Sequence, residues 1–382
     1  RDSSTSRGLG DVYKRQILRS AVYQLKYMDS VPDSAVCNEA VKLAVKKGFG
    51  TLRGFVNGVL RNVARGLDQV EYPTEGIERL SVVYSMPEWI LKLWKKTYDL
   101  DVIESMLQAF QEETPVTIRC NLAKTTPENL KESLQKEGVT VTPHPYLSYA
   151  FWIQDYDHLS ELESFQKGEF YVQDISSMLV GELADPKKGD RVIDVCAAPG
   201  GKALHVAEKL RGTGSVEARD LSLYKVGLIT ENIERSGLTN IHAVQKDATV
   251  CDADVKDAAD LVIADLPCSG LGVLAKKTDL KYKATEQSTK ELAGLQREIL
   301  KNAASYVRPG GTLIYSTCTI NPAENIENVH WFLKEFPEFV LDPIADRLCS
   351  TLQNSVEEAG CLQLLPGIHK SDGFFIARFG KK

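Results

Sequence analysis

The stretch RVIDVCAAPGGK, at residues 191–202, sets the architecture expected for the C-terminal half of the chain. It opens with a short β-branched run of the kind that forms a strand buried on both faces, and Gly200 and Gly201 interrupt this run before a helix-prone segment. We therefore predict a strand, a tight glycine turn and a helix. In such a unit the turn lies at the carboxyl edge of a parallel sheet, where the backbone can approach a nucleotide-like cofactor.

The glycine turn differs from the loops that bind phosphate groups. A dinucleotide-binding fold uses GxGxxG and a P-loop uses GxxxxGK[ST], and residues 196–202 fit neither pattern. Asp220 closes the next apolar segment, 19 residues after Gly201, near the spacing at which an acidic residue holds a ribose diol. A surface Asp that begins a helix as its N-cap is the alternative interpretation of Asp220.

From about residue 171 the chain alternates between strand-like and helix-like segments, which predicts a doubly wound α/β domain. We predict strands at residues 191–195, 215–219, 241–246, 260–264, 311–316 and 374–379, with helices at 201–210, 221–236, 289–306 and 323–334. Asp247 and Asp265 end the third and fourth strands, so with Asp220 they place carboxylates along one sheet edge. This placement favours a polar cofactor site there.

The chain before residue 171 divides into three segments. Residues 1–16 lack apolar periodicity and are interpreted as adapter or cloning sequence. Residues 17–70 are predicted to be helical, and residues 17–66 carry eight Lys and Arg against three Asp and Glu, whereas the whole chain has a net charge of −6. Such a basic helical segment is expected of an RNA-binding surface, with a solvated helical face as the alternative. Residues 71–170 mix helices and short strands and predict a small α/β module, followed by the main domain at 171–382.

Two groups in the α/β module have two interpretations each. Arg119 and Asn121, in TIRCN, either contact phosphate or edge a sheet. Four aromatic residues either stack on RNA bases or pack in a core: Tyr146, Tyr149, Phe151 and Trp152. Core packing is the preferred interpretation.

Composition argues against several classes of protein. No apolar run approaches the 18 residues expected of a membrane span. The eight cysteines form no CxxC pairs and no secretory signal is evident, which indicates a reducing cytoplasm. The six histidines are scattered and suggest no zinc site. We expect a cytoplasmic monomer that uses neither metal nor membrane.

Two cysteines stand at predicted strand ends, Cys268 in DLPCSGLG and Cys318 in YSTCTINPAEN. A free Cys is usually a small buried hydrophobe. Neighbouring strands would bring these two thiols to the sheet edge that carries the cofactor loop and Asp265, which favours a chemical role. Four lysines follow Cys268 and would either bind RNA phosphates or lie on a solvated loop: Lys276, Lys277, Lys281 and Lys283.

The segments DVCAAPGGK, ADLPCSGLGVL and STCTINPAEN together resemble the signature motifs of RNA cytosine-C5 methyltransferases that use S-adenosylmethionine. The segment ILRSAVYQLKYMDSVPDSAVCNEAVKLAVKK, followed by FVNGVLRNV, resembles the second half of the RNA-binding NusB fold. With QDISSMLV before the first motif, the chain is identified as a member of the RsmB family, also called Sun or Fmu, of ribosomal small-subunit methyltransferases. The resemblance runs from about residue 17 to the C-terminus and implies a truncated NusB-like domain.

The resemblance also implies a role for each site residue. Cys318 would add to C6 of cytosine, Asp265 would hydrogen-bond the base near N3, and Cys268 would assist loss of the C5 proton and elimination of Cys318. Asp220 would hold the ribose hydroxyls of the cofactor and Asp247 its adenine side. The other cofactor-binding residues would be Cys196, Ala197, Ala198, Pro199, Gly200, Gly201 and Lys202, together with Asp265.

The implied reaction forms 5-methylcytosine in 16S ribosomal RNA, at cytosine 967 in the family, and releases S-adenosylhomocysteine. A transfer-RNA cytosine-C5 methyltransferase is an alternative, because the catalytic motifs are shared and only the N-terminal segment favours the ribosomal substrate. A non-catalytic RNA-binding factor is the alternative from another class, and the presence of both cysteines and Asp265 argues against it.

Overall fold

The computed structural model describes the backbone of residues 3–382 and the side chains of residues 14–356 and 358–382. The chain forms two compact units, with the boundary between Thr74 and Glu75. Arg1 and Asp2, part of the segment interpreted as adapter sequence, lie outside the described residues. The boundaries predicted at residues 16, 70 and 170 remain predictions.

In the described part of the first unit, the helices are α1 (Ser3–Tyr27), α2 (Asp33–Lys46) and α3 (Arg53–Gly66). Residues spaced by one helical turn form its core, such as Ile17 and Ala21 on α1 and Val56 and Leu60 on α3. All eight Lys and Arg side chains of residues 17–66 are exposed. The unit therefore presents its positive charge to solvent.

The second unit begins with α4 (Gly76–Val83), α5 (Glu88–Trp94) and α6 (Leu100–Ala109). A small antiparallel sheet follows, in the order β2-β3-β1-β4, covered by α7 (Pro127–Lys136) and α8 (Glu163–Gln166). Its strands are β1 (Val116–Cys120), β2 (Thr140–Pro143), β3 (Ala150–Gln154) and β4 (Phe170–Val172). Of the four aromatic residues discussed above, Tyr146 and Phe151 are buried, in agreement with core packing.

The remaining residues build a large mixed sheet with helices on both faces. Its strands are β5 (Arg191–Asp194), β6 (Ser215–Asp220), β7 (Ile241–Gln245), β8 (Ala259–Asp265), β9 (Val307–Thr317), β10 (Phe339–Leu341), β11 (Val356–Glu358), β12 (Cys361–Leu364) and β13 (Phe374–Lys381). Its helices are α9 (Ile175–Ala184), α10 (Gly201–Lys209), α11 (Leu223–Ser236), α12 (Leu280–Lys283), α13 (Glu286–Tyr306), α14 (Ile326–Glu335) and α15 (Ser350–Gln353). The strand order is β11-β12-β13-β9-β8-β5-β6-β7, and β10 pairs with β13.

The parallel part of this sheet, from β9 to β7, confirms the predicted doubly wound α/β fold. Successive strand residues face opposite sides, so Val192 packs with Val216 and Ile263 on one face, whereas Ile193 and Val262 pack on the other. Helices α9, α10 and α11 contribute to the first core, and α13 and α14 to the second. Both faces are therefore covered, as the apolar strand sequences predict.

The strict alternation of strands and helices predicted from residue 171 is wrong beyond β9. There β10, β11 and β12 add to the sheet, and β12, β13 and β9 pair antiparallel. These added strands are short, and β12, with the sequence CLQL, is buried throughout, so it lacks the alternation that identifies a half-buried strand. Among the described helices, none is long and apolar enough to cross a membrane.

Arg119 does not contact solvent, so the structure contradicts its interpretation as a phosphate contact. The side chain is fully buried, and Nη1 lies 3.0 Å from Oε1 of Glu208, which is also buried. Nε donates to Oε1 of Gln173 at 2.7 Å, and the guanidinium lies 4.3 Å from the ring centroid of Tyr171. Asn121 is buried as well, and its amide donates to the carbonyl of Gly168. Arg119 therefore connects the small sheet to α10, and Asn121 connects it to the end of α11 through the carbonyl of Ser236.

The first prediction tests this buried ion pair. Arg119→Met removes the cation from Glu208 and should lower the free energy of unfolding by about 3–5 kcal/mol, because an unpaired buried charge is left behind. Lys167→Met removes the cation of the exposed Lys167–Glu163 pair, at 2.7 Å, and should cost less than about 1 kcal/mol. Urea denaturation of both variants gives the two values. Equal losses would contradict the assignment of Arg119 as a structural residue.

Candidate active site

The loop after β5 lies against the ends of its neighbouring strands. Val195 N donates to the carbonyl of Ile263 at 3.0 Å, and Ala197 N donates to the carbonyl of Arg219 at 2.8 Å. Gly200 adopts a φ of +111°, which side chains rarely adopt, and α10 begins at Gly201. The predicted strand, glycine turn and helix are all present.

A cavity opens beside this loop at the carboxyl edge of the sheet. Its wall contains most of the predicted cofactor-binding residues: Cys196, Ala197, Ala198, Pro199, Gly201, Lys202 and Asp265. Gly200 shapes the turn and does not line the cavity. Four polar residues of the same wall were not predicted from the sequence: Gln173, Asp174, Ser177 and Asp194. The first three lie in the segment QDISS. The polar residues of this segment, just before an apolar helix, were the sequence signal that could have identified them.

Asp194, the last residue of β5, is fully buried. Its Oδ1 accepts a hydrogen bond from Cys196 N at 3.3 Å, whereas Oδ2 has no partner among the described residues. Burial, with the nearby charge of Asp265, raises the pKa of Asp194 to about 7. Nε2 of Gln173 is a second buried atom of the cavity wall without a partner among the described residues. A ligand with both a cationic donor and an anionic acceptor would satisfy these atoms.

Asp220 supports the cofactor loop. Its carboxylate is buried, Oδ2 accepts from Ala198 N at 3.1 Å, and Oδ1 accepts from Leu221 N at 2.8 Å. Lys225 lies 3.2 Å from Oδ1. The N-cap of α11 is Ser222 instead, so the interpretation of Asp220 as an ordinary helix cap is wrong.

Asp247 lies apart from the cavity wall. Its side chain is exposed, and its Oδ1 accepts hydrogen bonds from the N and Oγ1 of Thr249 at 2.9 and 2.7 Å. Asp247 therefore lies apart from most of the other predicted site residues. Its role toward adenine remains a prediction.

The two cysteines meet beside the cavity. The Sγ atoms of Cys268 and Cys318 are 3.3 Å apart, although 50 residues separate them in the chain. Lys202 Nζ lies 2.8 Å from Oδ2 of Asp265, whose Oδ1 accepts from Ser316 Oγ at 2.8 Å. One cluster thus contains two thiols, a carboxylate and an ammonium group.

The surroundings of the two thiols shift their pKa values in opposite directions. The hydrogen bond from Cys268 lowers the pKa of Cys318, aided by the charges of Lys202 and Lys277 and opposed by burial and Asp265. The same hydrogen bond, with burial, raises the pKa of Cys268 well above its ordinary value. Cys318 is therefore the thiol that forms the thiolate more readily, and the thiolate is the nucleophilic form.

The four lysines after Cys268 have different surroundings. Lys276 lies 3.0 Å from Asp174 and 2.6 Å from Asp372, and Lys283 pairs with Asp279. Lys281 is buried, whereas Lys277 is exposed. The four therefore do not form one uniform basic surface.

A doubly wound sheet with a polar cavity beside its first βα turn and two thiols at the same edge fits a methyltransferase that uses S-adenosylmethionine. The orphaned atoms of Asp194 and Gln173 fit that cofactor, whose amino-acid end carries an ammonium and a carboxylate group. Residues 182–380 match the family described as 16S rRNA methyltransferase RsmB/F. The chain belongs to this family.

Comparisons with other proteins agree over the rest of the chain. Residues 6–65 match the NusB family, and residues 86–156 match the ferredoxin-like domain of RsmF/B-like methyltransferases. The probable ribosomal RNA small subunit methyltransferase B of Bacillus subtilis is 38% identical over 370 residues, 96% of this chain and 82% of that protein. The Synechocystis protein of the same name is 35% identical, over 96% and 83%. The structure of NSun6 from Pyrococcus horikoshii with SFG has a TM-score of 0.69 at 25% identity, covering 78% of this chain and 99% of that one.

The second prediction concerns the thiolate of Cys318. Cys268→Ala removes the hydrogen bond that stabilises this thiolate, so the pH midpoint for alkylation of Cys318 by iodoacetamide should rise. Peptide mass spectrometry across a pH series measures the rate, and the exposed Cys251 provides an internal control whose rate should not change. An unchanged or lower midpoint would show that Cys268 does not stabilise the thiolate.

The third prediction concerns Asp220. Asp220→Ala removes the acceptor that holds Ala198 N and should weaken binding of S-adenosylhomocysteine by about 1–3 kcal/mol. Calorimetric titration measures this change, and Asp254→Ala, an exposed carboxylate outside the cavity wall, is the control. Unchanged affinity in Asp220→Ala would rule out a role for this carboxylate at the cofactor site.

Proposed function

We propose that the protein forms 5-methylcytosine in small-subunit ribosomal RNA through a covalent bond between Cys318 and C6 of the target cytosine. The observation that carries this proposal is the 3.3 Å contact between Cys268 and Cys318 beside the cofactor cavity. Cytosine C5 is a weak nucleophile, and addition of a thiolate to C6 makes it enamine-like. In this proposal Cys318 activates the base, and Cys268 is close enough to assist the release of Cys318 from the methylated base.

The first step belongs to Cys318. Its thiolate donates an electron pair to C6, the C5–C6 double bond opens, and charge develops on the base toward N3. N3 would take up a proton from solvent as it gains electron density and return it when the C5–C6 double bond re-forms. Asp265, whose charge acts on Cys318, would accept a hydrogen bond from that N3–H group. Lys202 keeps Asp265 oriented through the 2.8 Å ion pair.

S-adenosylmethionine, when bound, supplies an electrophilic methyl group and leaves as S-adenosylhomocysteine. Residues 196–202, Asp194 and Gln173 would hold its amino-acid end, Asp220 its ribose hydroxyls and Asp247 its adenine side. Because the cavity adjoins Asp265, this arrangement supports methyl transfer to a base held at the cysteines.

Release requires loss of the C5 proton and expulsion of Cys318. While Cys318 is free, its hydrogen bond and charge hold the pKa of Cys268 high. Once Cys318 is bonded to C6, these two causes disappear, whereas burial and the charge of Glu324 still raise the pKa of Cys268. Cys268 then gives its proton to solvent more easily than before. It can then assist removal of the C5 proton, and the electron pair of that bond re-forms the double bond as Cys318 leaves.

The choice of RNA rests on the relatives, which are named as ribosomal RNA small subunit methyltransferases, and on the basic N-terminal unit. The family target, cytosine 967 of 16S RNA, is the site we propose. The NusB match favours ribosomal over transfer RNA. We further propose that the protein is a cytoplasmic monomer.

The fourth prediction separates the two thiols. Cys318→Ala should abolish both methylation and any protein–RNA adduct, because the attacking atom is absent. Cys268→Ala should still attack but release slowly, and with RNA and S-adenosylmethionine it should accumulate an adduct that survives denaturing electrophoresis. The double variant, as control, should form none.

Two outcomes of this experiment would contradict the proposal. An adduct that depends on Cys268 and forms without Cys318 would reverse the two roles. Full methylation by both single variants would exclude the covalent mechanism, and mapping of the modified base tests the target.

A further inference from the structure

Glu324 is a buried carboxylate close to both cysteines. It lies in the turn between β9 and α14, six residues after Cys318, and its side chain has no solvent exposure. No Lys or Arg among the described side chains forms an ion pair with it. Burial of a carboxylate without a cation is costly unless hydrogen bonds compensate for the lost water.

Four donors supply that compensation. Oε1 accepts from Ser269 N at 2.8 Å and from Gln296 Nε2 at 3.2 Å. Oε2 accepts from Ser269 Oγ at 2.6 Å and from Asn321 Nδ2 at 2.9 Å. If an uncharged amide replaced this carboxylate, its own N–H groups would face some of these donors and could not accept their hydrogen bonds.

These donors belong to both cysteine loops. Ser269 directly follows Cys268, and Asn321 lies three residues after Cys318. Ser269 Oγ also lies 2.8 Å from Oγ1 of Thr319, so the two loops are tied through one polar cluster. Gln296, on α13, donates to the carbonyl of Pro267 as well and joins the helix to the same cluster.

We propose that Glu324 is a positioning residue, which holds the loops of Cys268 and Cys318 together so that the two sulfur atoms remain in contact. This inference rests on the covalent function proposed above. A role in stability alone would not need a charge, because hydrogen bonds between uncharged groups also stabilise a fold. The convergence of four donors from three segments on one carboxylate instead fits the alignment of two loops.

Glu324→Gln is the direct test. The amide should loosen the loops and lower kcat for methylation by about 100-fold, the loss expected from a small misplacement of reacting groups. The affinity for S-adenosylhomocysteine and KM for RNA should stay within about twofold, because Glu324 does not line the cofactor cavity and is buried away from the RNA. Glu327→Gln, the same change at an exposed position three residues on, is the matched control and should leave kcat unchanged.

A second measurement distinguishes positioning from the effect of charge. Removal of the negative charge of Glu324 would by itself lower the pH midpoint for alkylation of Cys318. Loss of the contact with Cys268 would raise that midpoint. The charged groups that act on Cys318 are Asp265, Lys202 and Lys277, and Glu324→Gln leaves all three in place. We therefore expect the midpoint to rise.

A compensating variant provides rescue. Asn321→Asp combined with Glu324→Gln moves the carboxylate to position 321, where it can accept from the new amide and still accept from Ala323 N. The carbonyl oxygen of that amide then remains available to Ser269 N and Gln296. This double variant should recover most of the lost kcat.

The outcomes separate the two proposals. Wild-type kcat and midpoint in Glu324→Gln would overturn the positioning role, whereas full methylation by Cys318→Ala would overturn the covalent function itself. If Glu324→Gln fails to fold, Ser269→Ala decides the question, because it removes one donor only. A lower kcat with unchanged cofactor affinity in Ser269→Ala supports the positioning role, and an unchanged kcat refutes it.

Discussion

The parallel pairing of β8 with β9 is the contact on which the active site depends. Its register places Asp265 opposite Ser316, and Leu266 N continues the ladder by donating to the carbonyl of Ser316 at 3.0 Å. Both loops therefore leave the sheet side by side, and each carries a cysteine shortly after its strand ends. Gly272 N then donates to the carbonyl of Cys318 at 3.1 Å, at a point where a Cβ would collide with the carbonyl of Gly373. Two thiols distant in sequence thus become neighbours through backbone geometry.

The electrostatics of the site follow from its place at the sheet edge. Parallel strands end together, so Asp194, Asp220 and Asp265 approach one another in a buried region. Their mutual repulsion is tolerated because Lys202 pairs with Asp265 and backbone N–H groups satisfy Asp220. One oxygen of Asp194 has no partner among the described residues. An unsatisfied buried oxygen lowers stability, and such a loss is expected where a ligand completes the site. In the mechanism that we propose, the unsatisfied atom belongs to the part of the site that binds the cofactor, and the pair of thiols belongs to the part that binds the base.

Local patterns were sufficient to predict the parallel strands, the glycine turn and the position of the two cysteines at one sheet edge. The strand at residues 191–195 has an apolar run typical of a buried strand, and Cys268 and Cys318 follow strands with the same character. Arg119 was open to a wrong interpretation because its partner, Glu208, is 89 residues away and its burial depends on how the two sheets pack. Gln173 and Glu324 were missed for the same reason, since a polar residue in a turn has the sequence pattern of a cap until its distant donors are known.

Asp220 and Glu324 illustrate how one physical device serves two functions in this fold. Each is a buried carboxylate that accepts a backbone N–H from the loop it supports, Ala198 for the cofactor loop and Ser269 for the loop of Cys268. A loop cannot be held by apolar packing alone where its backbone groups must face a ligand, because those groups need fixed partners. The two carboxylates hold separate loops, so we expect their effects to be separable: a change at Asp220 should act on the cofactor side of the site, whereas a change at Glu324 should act on the geometry of the thiols.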